Sequence, residues 1–267
     1  MPSVDRRWLP PALIAIAAVV SAATYGGLPP MIDLPFHALL PFPLAETAGQ
    51  APRWLALSMM PALALIVWAA FRLAPTTAGQ RLGRRMFRRA PEAVTSPEQF
   101  SRQRATYEAI VLGVVMLLLG FHAAVLAMAW EAPHVAARIV PAVLGASLVL
   151  MGNVMPRLRP NWVAGLRTQR LLENPPLWRG AHRVFGTAFV VSGVATILAA
   201  LVAPQYGLLV GIVSLVVSCI VGFVASTRQG NTATHAALVV LGLLCTSASA
   251  TPAQAPHDAH DLREMTQ

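Results

Sequence analysis

The sequence predicts an all-α fold, namely a polytopic transmembrane helix bundle with six spans and a candidate short seventh. Three observations predict this class. The chain of 267 residues is 56% hydrophobic, and its mean hydropathy is +0.59. Only 12% of its residues are charged, whereas soluble domains carry about a quarter. Apolar runs of about 20 residues recur along the chain, and this is the length of α-helix that crosses a bilayer.

The positive charge of the chain comes from arginine alone, because its 20 basic residues include no lysine. A net charge of +9 is compatible with nucleic-acid binding. However, the arginines lie between apolar runs, and no segment outside these runs is long enough for a nucleic-acid-binding domain. We therefore expect the lipid bilayer, and not nucleic acid, as a partner. Cys219 and Cys245 lie in apolar runs without metal-ligand spacing, which predicts small buried residues rather than metal ligands or a disulfide. We expect no metal site and no cofactor.

Residues 1–75 predict an amino-terminal module of two spans, residues 9–25 and 54–73, joined by a proline-rich outer loop. The first span is expected to stay in the protein, with a cleaved signal peptide as the alternative. The intervening loop cannot be a regular helix, because each internal proline removes a hydrogen-bond donor and clashes with the preceding turn. It carries His37, a secondary candidate for binding whose simpler interpretation is a solvated loop histidine.

Residues 76–106 predict a basic cytoplasmic loop. Within it, four arginines follow helical spacing on one face, and two apolar residues share another: Arg81, Arg84, Arg85 and Arg88, then Leu82 and Met86. Such a pattern is typical of a short amphipathic helix that lies on anionic lipid headgroups. A patch that docks another protein is the alternative interpretation.

Residues 107–228 predict a core of four spans, at about 107–130, 136–155, 182–203 and 205–225. His122 lies inside the first of these. An ionisable residue within a span is a candidate for function, and a neutral histidine that bonds a neighbouring helix is the alternative.

Residues 229–267 predict a candidate seventh span and an acidic tail. The apolar run 235–250 covers roughly 24 Å as a helix, against a hydrocarbon core of about 30 Å. We interpret it as a seventh span that exports the tail.

The distribution of arginine predicts the topology. If the amino terminus is cytoplasmic and the spans alternate, the inner side receives most of the arginines, and the outer side receives three. Those inside are Arg6, Arg7, the residues from Arg72 to Arg104 and from Arg157 to Arg183, and Arg228; those outside are Arg53, Arg138 and Arg263. This asymmetry follows the positive-inside rule.

The polar stretch 152–186 is more than a plain connection between spans. Its six arginines share it with a single acid, Glu173. Asn153 lies in the last turn of a span, where its amide has freed carbonyls to bond, and Pro156 stops that helix. Pro160 restricts the preceding residue to an extended form, and Gly165 suits a close backbone approach or a positive φ.

The outgoing helix of this stretch has a recognisable start. Asn174 followed by Pro175 predicts a helix N-cap with proline at the first helical position. On a helix that starts there, Trp178 and His182 share one face, and Arg179 and Arg183 share another. We expect the cytoplasmic end of this helix to present an aromatic ring, an imidazole and two guanidinium groups.

The residues of this stretch resemble the SdpI family of bacterial membrane immunity proteins. The pattern is Gly152-Asn153-x-Met155-Pro156-Arg157-x-Arg159-Pro160-Asn161-Trp162-x-x-Gly165-Leu166-Arg167-Thr168, followed by Trp178-Arg179-x-x-His182-Arg183. It departs from the family at residues 169–171, where the family has Pro-Trp-Thr, and at Ala181, where the family has threonine. The resemblance covers the fourth to the sixth span. Residues 28–61 also look like a degenerate copy of the two-span module that precedes the family's core.

The resemblance implies a multi-pass protein of the bacterial cytoplasmic (inner) membrane, and the arginine distribution predicts that its amino terminus is cytoplasmic. It also implies immunity to, or sensing of, a membrane-active peptide toxin outside, and docking of a cytoplasmic regulator. The candidate site residues are Asn153, Pro156, Pro160, Asn161, Gly165, Arg167, Thr168, Trp178, His182 and Arg183, with His37 and His122 as secondary candidates.

A transporter-like site for a small molecule or lipid headgroup is the alternative function. It requires Asn153, Arg167, His182 and His122 to converge in one pocket around an anionic group. Catalysis is not expected, because the spans have no paired carboxylates, no nucleophile motif and no metal-ligand spacing.

Overall fold

The computed structural model describes residues 6–34, 49–86, 97–161 and 163–227. The predictions made for His37, Arg88, Trp162, Cys245 and the candidate seventh span lie outside these residues. Within them, the helices are α1 (Leu9–Thr24), α2 (Arg53–Leu73), α3 (Thr77–Met86), α4 (Pro97–Arg102), α5 (Arg104–Ala129), α6 (Pro133–Val154), α7 (Gln169–Glu173), α8 (Pro175–Val202) and α9 (Pro204–Thr227), and the strands are β1 (Met31–Asp33) and β2 (Gln50–Pro52).

Six of these helices are long and apolar enough to span a membrane: α1, α2, α5, α6, α8 and α9. Their outward faces carry large apolar side chains such as Ile66, Leu201 and Phe223, each more than half exposed. A soluble monomer rarely exposes so much contiguous apolar surface, whereas a membrane protein places such a surface against lipid tails. The protein is therefore an integral, multi-pass membrane protein, and the predicted all-α bundle with six spans is confirmed.

Cys219 corrects one prediction from the sequence. Its side chain is exposed on the surface of α9, although its apolar surroundings predicted burial inside the protein. The reason is that an apolar run in a membrane span marks contact with lipid as readily as contact with a neighbouring helix.

The carboxy-terminal spans pack through pairs of glycines. On α6 and α8, a Cβ atom at Gly145 would lie 2.6 Å from the carbonyl oxygen of Gly193, and a Cβ at Gly152 would lie 2.6 Å from that of Gly186. The two glycines are seven residues apart on both helices, so they form one seam along the interface. Without side chains the two backbones approach closely, which is a common way for membrane helices to associate.

The amino-terminal spans join the bundle through α5. Ile14, Ala64 and Val115, from α1, α2 and α5, form a small buried cluster. Further along, β1 and β2 form an antiparallel ribbon in which Ile32 is 1% exposed and belongs to a cluster with Val125 of α5. The sequence did not predict this ribbon, because three-residue strands in a proline-rich segment show no periodic pattern.

The two ends of the bundle differ in charge. One end, which we call the arginine-rich end, is where α1, α5 and α8 begin and α2, α6 and α9 end. Its arginines include Arg7, Arg72, Arg81, Arg85, Arg102, Arg104, Arg157, Arg159, Arg167, Arg170, Arg179 and Arg183; the described arginines at the opposite end are Arg53 and Arg138. The described residues of the polar stretch 152–186, which connects α6 to α8, lie at the arginine-rich end.

Candidate functional site

The connection from α6 to α8 is a folded structure held by a few polar residues. After Val154 the chain makes a 3-10 turn at Met155–Arg157, followed by irregular backbone, the one-turn helix α7 and then α8. Pro156 lies in the 3-10 turn, where it ends α6 as predicted.

Asn161 folds the irregular part of the connection into a turn through side-chain hydrogen bonds to nearby backbone. Its side chain is buried, and its Oδ1 accepts the backbone N–H groups of Val163, at 2.9 Å, and Ala164, at 2.8 Å. Its Nδ2 donates to the carbonyl oxygen of Arg159 at 2.8 Å. All three bonds go to backbone, so this amide folds the turn and is not available to a ligand.

Trp178 anchors the same segment to α8. Its side chain is 0% exposed, and its Nε1–H donates to the carbonyl oxygen of Leu158 at 2.7 Å. Its ring stacks on that of His182, with 3.9 Å between centroids and 17° between planes. The indole therefore satisfies a buried carbonyl that belongs to no regular helix or strand.

His182 bridges α8 and the loop as a neutral imidazole. Leu166 N donates to its Nε2 at 3.1 Å, so this nitrogen is an acceptor without a proton. The proton is then on Nδ1, which donates to the carbonyl oxygen of Trp178 at 3.0 Å. Both ring nitrogens are thus engaged by backbone, which fixes the tautomer and the orientation of the ring.

Gly165 is where the loop passes over the imidazole. Its φ of +91° is one that side-chain-bearing residues rarely adopt. A Cβ atom at this position would also collide with Nε2 of His182. Both reasons that the sequence offered for a glycine here are confirmed. We call the buried residues Asn161, Trp178 and His182, together with the half-buried Gly165 that passes over the imidazole, the buried loop cluster.

Two helix caps complete the connection. Thr168 accepts the N–H of Leu171 at the start of α7, and Asn174 accepts the N–H of Leu177 at the start of α8 at 3.1 Å. The predicted N-cap at Asn174, with Pro175 in the first turn, is therefore confirmed.

Gln103 is a residue of this region that sequence reasoning missed. It precedes α5, is 5% exposed, and its Oε1 accepts the N–H of Arg159 at 2.8 Å. It thereby ties the connection to the third span. The signal available in the sequence was a polar residue directly before a long apolar helix, but its partner is 56 positions away.

The six arginines of the stretch are all exposed, in contrast to the buried loop cluster: Arg157, Arg159, Arg167, Arg170, Arg179 and Arg183. Arg170 also donates from Nη1 to the carbonyl oxygen of Thr227 at 3.0 Å, which joins α7 to the end of α9. The single acid of the stretch, Glu173, accepts a bond from Gln169. A connection that is folded by its own hydrogen bonds therefore presents a surface with a large excess of positive charge.

Two expectations from the sequence are wrong. The start of α8 does not present an aromatic ring and an imidazole, because Trp178 and His182 are both fully buried while Arg179 and Arg183 are exposed. These residues are four apart as predicted, but the face that carries Trp178 and His182 is covered by the loop.

The second wrong expectation is the transporter-like pocket, in which Asn153, Arg167, His182 and His122 were to converge around an anionic group. Asn153 and Arg167 are exposed, whereas His182 is buried and bonded to backbone. His122 bonds a different element, since its Nε2 lies 2.9 Å from the Oγ of Ser21 on α1. Pro160, half-buried before Asn161, shapes the backbone and adds no polar side-chain group to such a pocket.

The family model for the SdpI/YfhL protein family matches residues 157–227. No curated protein and no solved structure matches the chain. The matched segment begins inside the 3-10 turn and ends at the last residue of α9. It therefore contains the whole buried loop cluster, the six exposed arginines and the two last described spans. Over this segment, about a quarter of the chain, the protein is similar to the SdpI/YfhL protein family.

Proposed function

We propose that the protein confers immunity to, or senses, a membrane-active peptide toxin in the bacterial cytoplasmic membrane, and that its arginine-rich end docks a cytoplasmic regulator. The observation that carries the proposal is the set of six exposed arginines on the stretch 152–186, whose buried polar side chains, Asn161, Trp178 and His182, bond backbone atoms. We propose a role in binding and signalling and not in catalysis.

The proposed orientation rests on charge. Bacterial membrane proteins keep arginine and lysine on the cytoplasmic side, and the described arginines are concentrated at one end of the bundle. That end would lie in the cytoplasm, together with the amino terminus. The ribbon of β1 and β2 and the start of α2 would then face the outside, where a secreted peptide arrives.

The proposed docking surface needs a partner with negative charge. Glu173 alone cannot balance six guanidinium groups, and it is already bonded to Gln169. Arg179 and Arg183 lie one turn apart on the exposed face of α8. A carboxylate-rich protein surface or a row of phosphates can therefore contact both guanidinium groups at once. Arginine is well suited to this, because its planar group binds carboxylate and phosphate through two parallel hydrogen bonds.

Two measurements test this function. In a strain that lacks the gene, sensitivity to peptides secreted by neighbouring strains should rise for at least one peptide, and expression of the intact chain should restore survival. A broad panel with unchanged sensitivity would contradict immunity. Reporter fusions after residue 86 and after residue 130 should be active in the cytoplasm and the periplasm respectively, and the reverse pattern would contradict the orientation.

The alternative of a small-molecule site at Asn153, Arg167, His182 and His122 loses its support, because these side chains do not share a pocket. A different cavity elsewhere in the bundle carries a separate inference.

A further inference from the structure

A cavity of about 450 Å³ lies among the amino-terminal spans, apart from the buried loop cluster. It opens at the arginine-rich end, where Arg7 precedes α1, Arg72 lies in the last turn of α2 and Arg104 begins α5. Phe100 of α4 forms another wall. Cavities of this size accommodate small ligands or parts of larger ones.

The lining of the cavity is amphipathic. Its deeper wall is apolar and aromatic, with Trp68 and Phe71 from α2 and Tyr107 and Val111 from α5. Tyr107 stacks on Phe100 with 4.4 Å between ring centroids, which fixes the wall on that side. An occupant therefore needs an apolar part that is directed towards the interior of the bilayer.

The rim of the cavity carries an excess of positive charge. Three arginines line it, against one carboxylate, Glu108. That carboxylate accepts a bond from Nε of Arg104 at 2.8 Å, and both side chains remain partly exposed. Arg72 lies over the ring of Trp68, 5.9 Å from its centroid, a contact that leaves guanidinium N–H groups able to donate to an anion. The occupant therefore needs a negatively charged part at the level of the helix ends.

We propose that this cavity binds the phosphate headgroup of an anionic phospholipid from the adjoining leaflet. The headgroup phosphate contacts Arg72 and Arg104, and the first part of an acyl chain lies along Trp68 and Tyr107. A lipid is the occupant with both required parts, and it is present at the depth where these three helices end. Basic pockets between membrane helices commonly bind anionic headgroups in this way, and guanidinium groups bind phosphate through paired hydrogen bonds.

The test uses the purified full chain in mixed micelles and follows the quenching of tryptophan by a headgroup-proximal brominated lipid. Phosphatidylglycerol should quench with at least about tenfold higher affinity than phosphatidylcholine of the same chain length. The double variant R72Q/R104Q should lose that preference. The matched control R81Q/R85Q, on α3 outside the cavity lining, removes the same charge from the same end and should keep the preference within about twofold.

Three outcomes would overturn the proposal. If both double variants lost the preference for phosphatidylglycerol equally, the lipid would be attracted to the positive charge of the whole end and not to a site. Full competition by millimolar inorganic phosphate would show a site for a free anion. A photoactivatable phosphatidylglycerol on the wild-type chain should label the segments that carry Trp68 and Tyr107. This last measurement does not depend on the folding of any variant, and labelling confined to other segments would contradict the proposal.

Discussion

The buried and the exposed residues of the connection between α6 and α8 have opposite chemistry. The buried ones, Asn161, Trp178 and His182, are neutral, and each bonds backbone atoms of the connection or of α8. The exposed residues include all six arginines of the stretch, against one acid, Glu173. The buried neutral residues of the recognisable stretch thus build a scaffold, and its arginines meet the surroundings. This comparison teaches that a dense motif can specify the shape of a surface without forming that surface itself.

The largest effect is expected at Gly165. The variant Gly165→Ala places a side chain at a φ of +91° and against the ring of His182, which should cost about 3 kcal/mol of unfolding free energy or more. Thermal unfolding in detergent measures this. Gly180→Ala is the matched control, because a Cβ there meets nothing within 4 Å and alanine favours a helix. Equal behaviour of the two variants would contradict the proposed role of the cluster.

Replacing Trp178 with phenylalanine tests the anchoring hydrogen bond. The variant keeps an aromatic ring beside His182 but leaves the carbonyl of Leu158 buried without its 2.7 Å donor, at a cost of about 2 kcal/mol. Thermal or denaturant unfolding detects this change. Trp130→Phe, at a position that is 54% exposed, should change the unfolding free energy by less than about 0.5 kcal/mol.

The two buried histidines sharpen the comparison further. Both nitrogens of His182 are bonded to backbone, whereas Nδ1 of His122 has no hydrogen-bond partner within the described part of the chain. We therefore expect His182→Phe to cost about 2 kcal/mol and His122→Phe about 1 kcal/mol or less. Parallel unfolding curves of the two variants measure the difference, and equal costs would show that burial alone decides them, because both side chains are at most 2% exposed.

The smallest effect on stability is expected for the exposed arginines. The variant R179Q/R183Q should change the unfolding free energy by less than about 0.5 kcal/mol, because both side chains are exposed. A larger loss in the unfolding curve would mean that these arginines support the fold, and that the division between scaffold and surface is incorrect.

The sequence was sufficient for features that depend on neighbours along the chain. The six spans follow from apolar length, and the start of α8 follows from Asn174 and Pro175. The close approach and positive φ at Gly165 follow from the lack of a side chain on glycine. The direction in which Trp178 and His182 face was not predictable, because helical spacing shows that two residues share a face but not what covers that face.

Features assembled from distant segments were also not predictable. Gln103 meets Arg159 only because α5 and α6 pack side by side. The cavity with Arg7, Arg72 and Arg104 needs three helix ends to meet at one end of the bundle. The same arginines, taken one by one along the sequence, indicate only which side of the membrane each loop prefers.

The most direct test of the central claim is survival of a peptide-sensitive host that expresses R179Q/R183Q in place of the wild-type chain. At equal membrane abundance and equal thermal stability, the account predicts that R179Q/R183Q loses the protection or the downstream response, while R81Q/R85Q retains both. Full protection and a full response with R179Q/R183Q would contradict the claim that the exposed arginines of the stretch 152–186, which the buried loop cluster supports, form the functional surface.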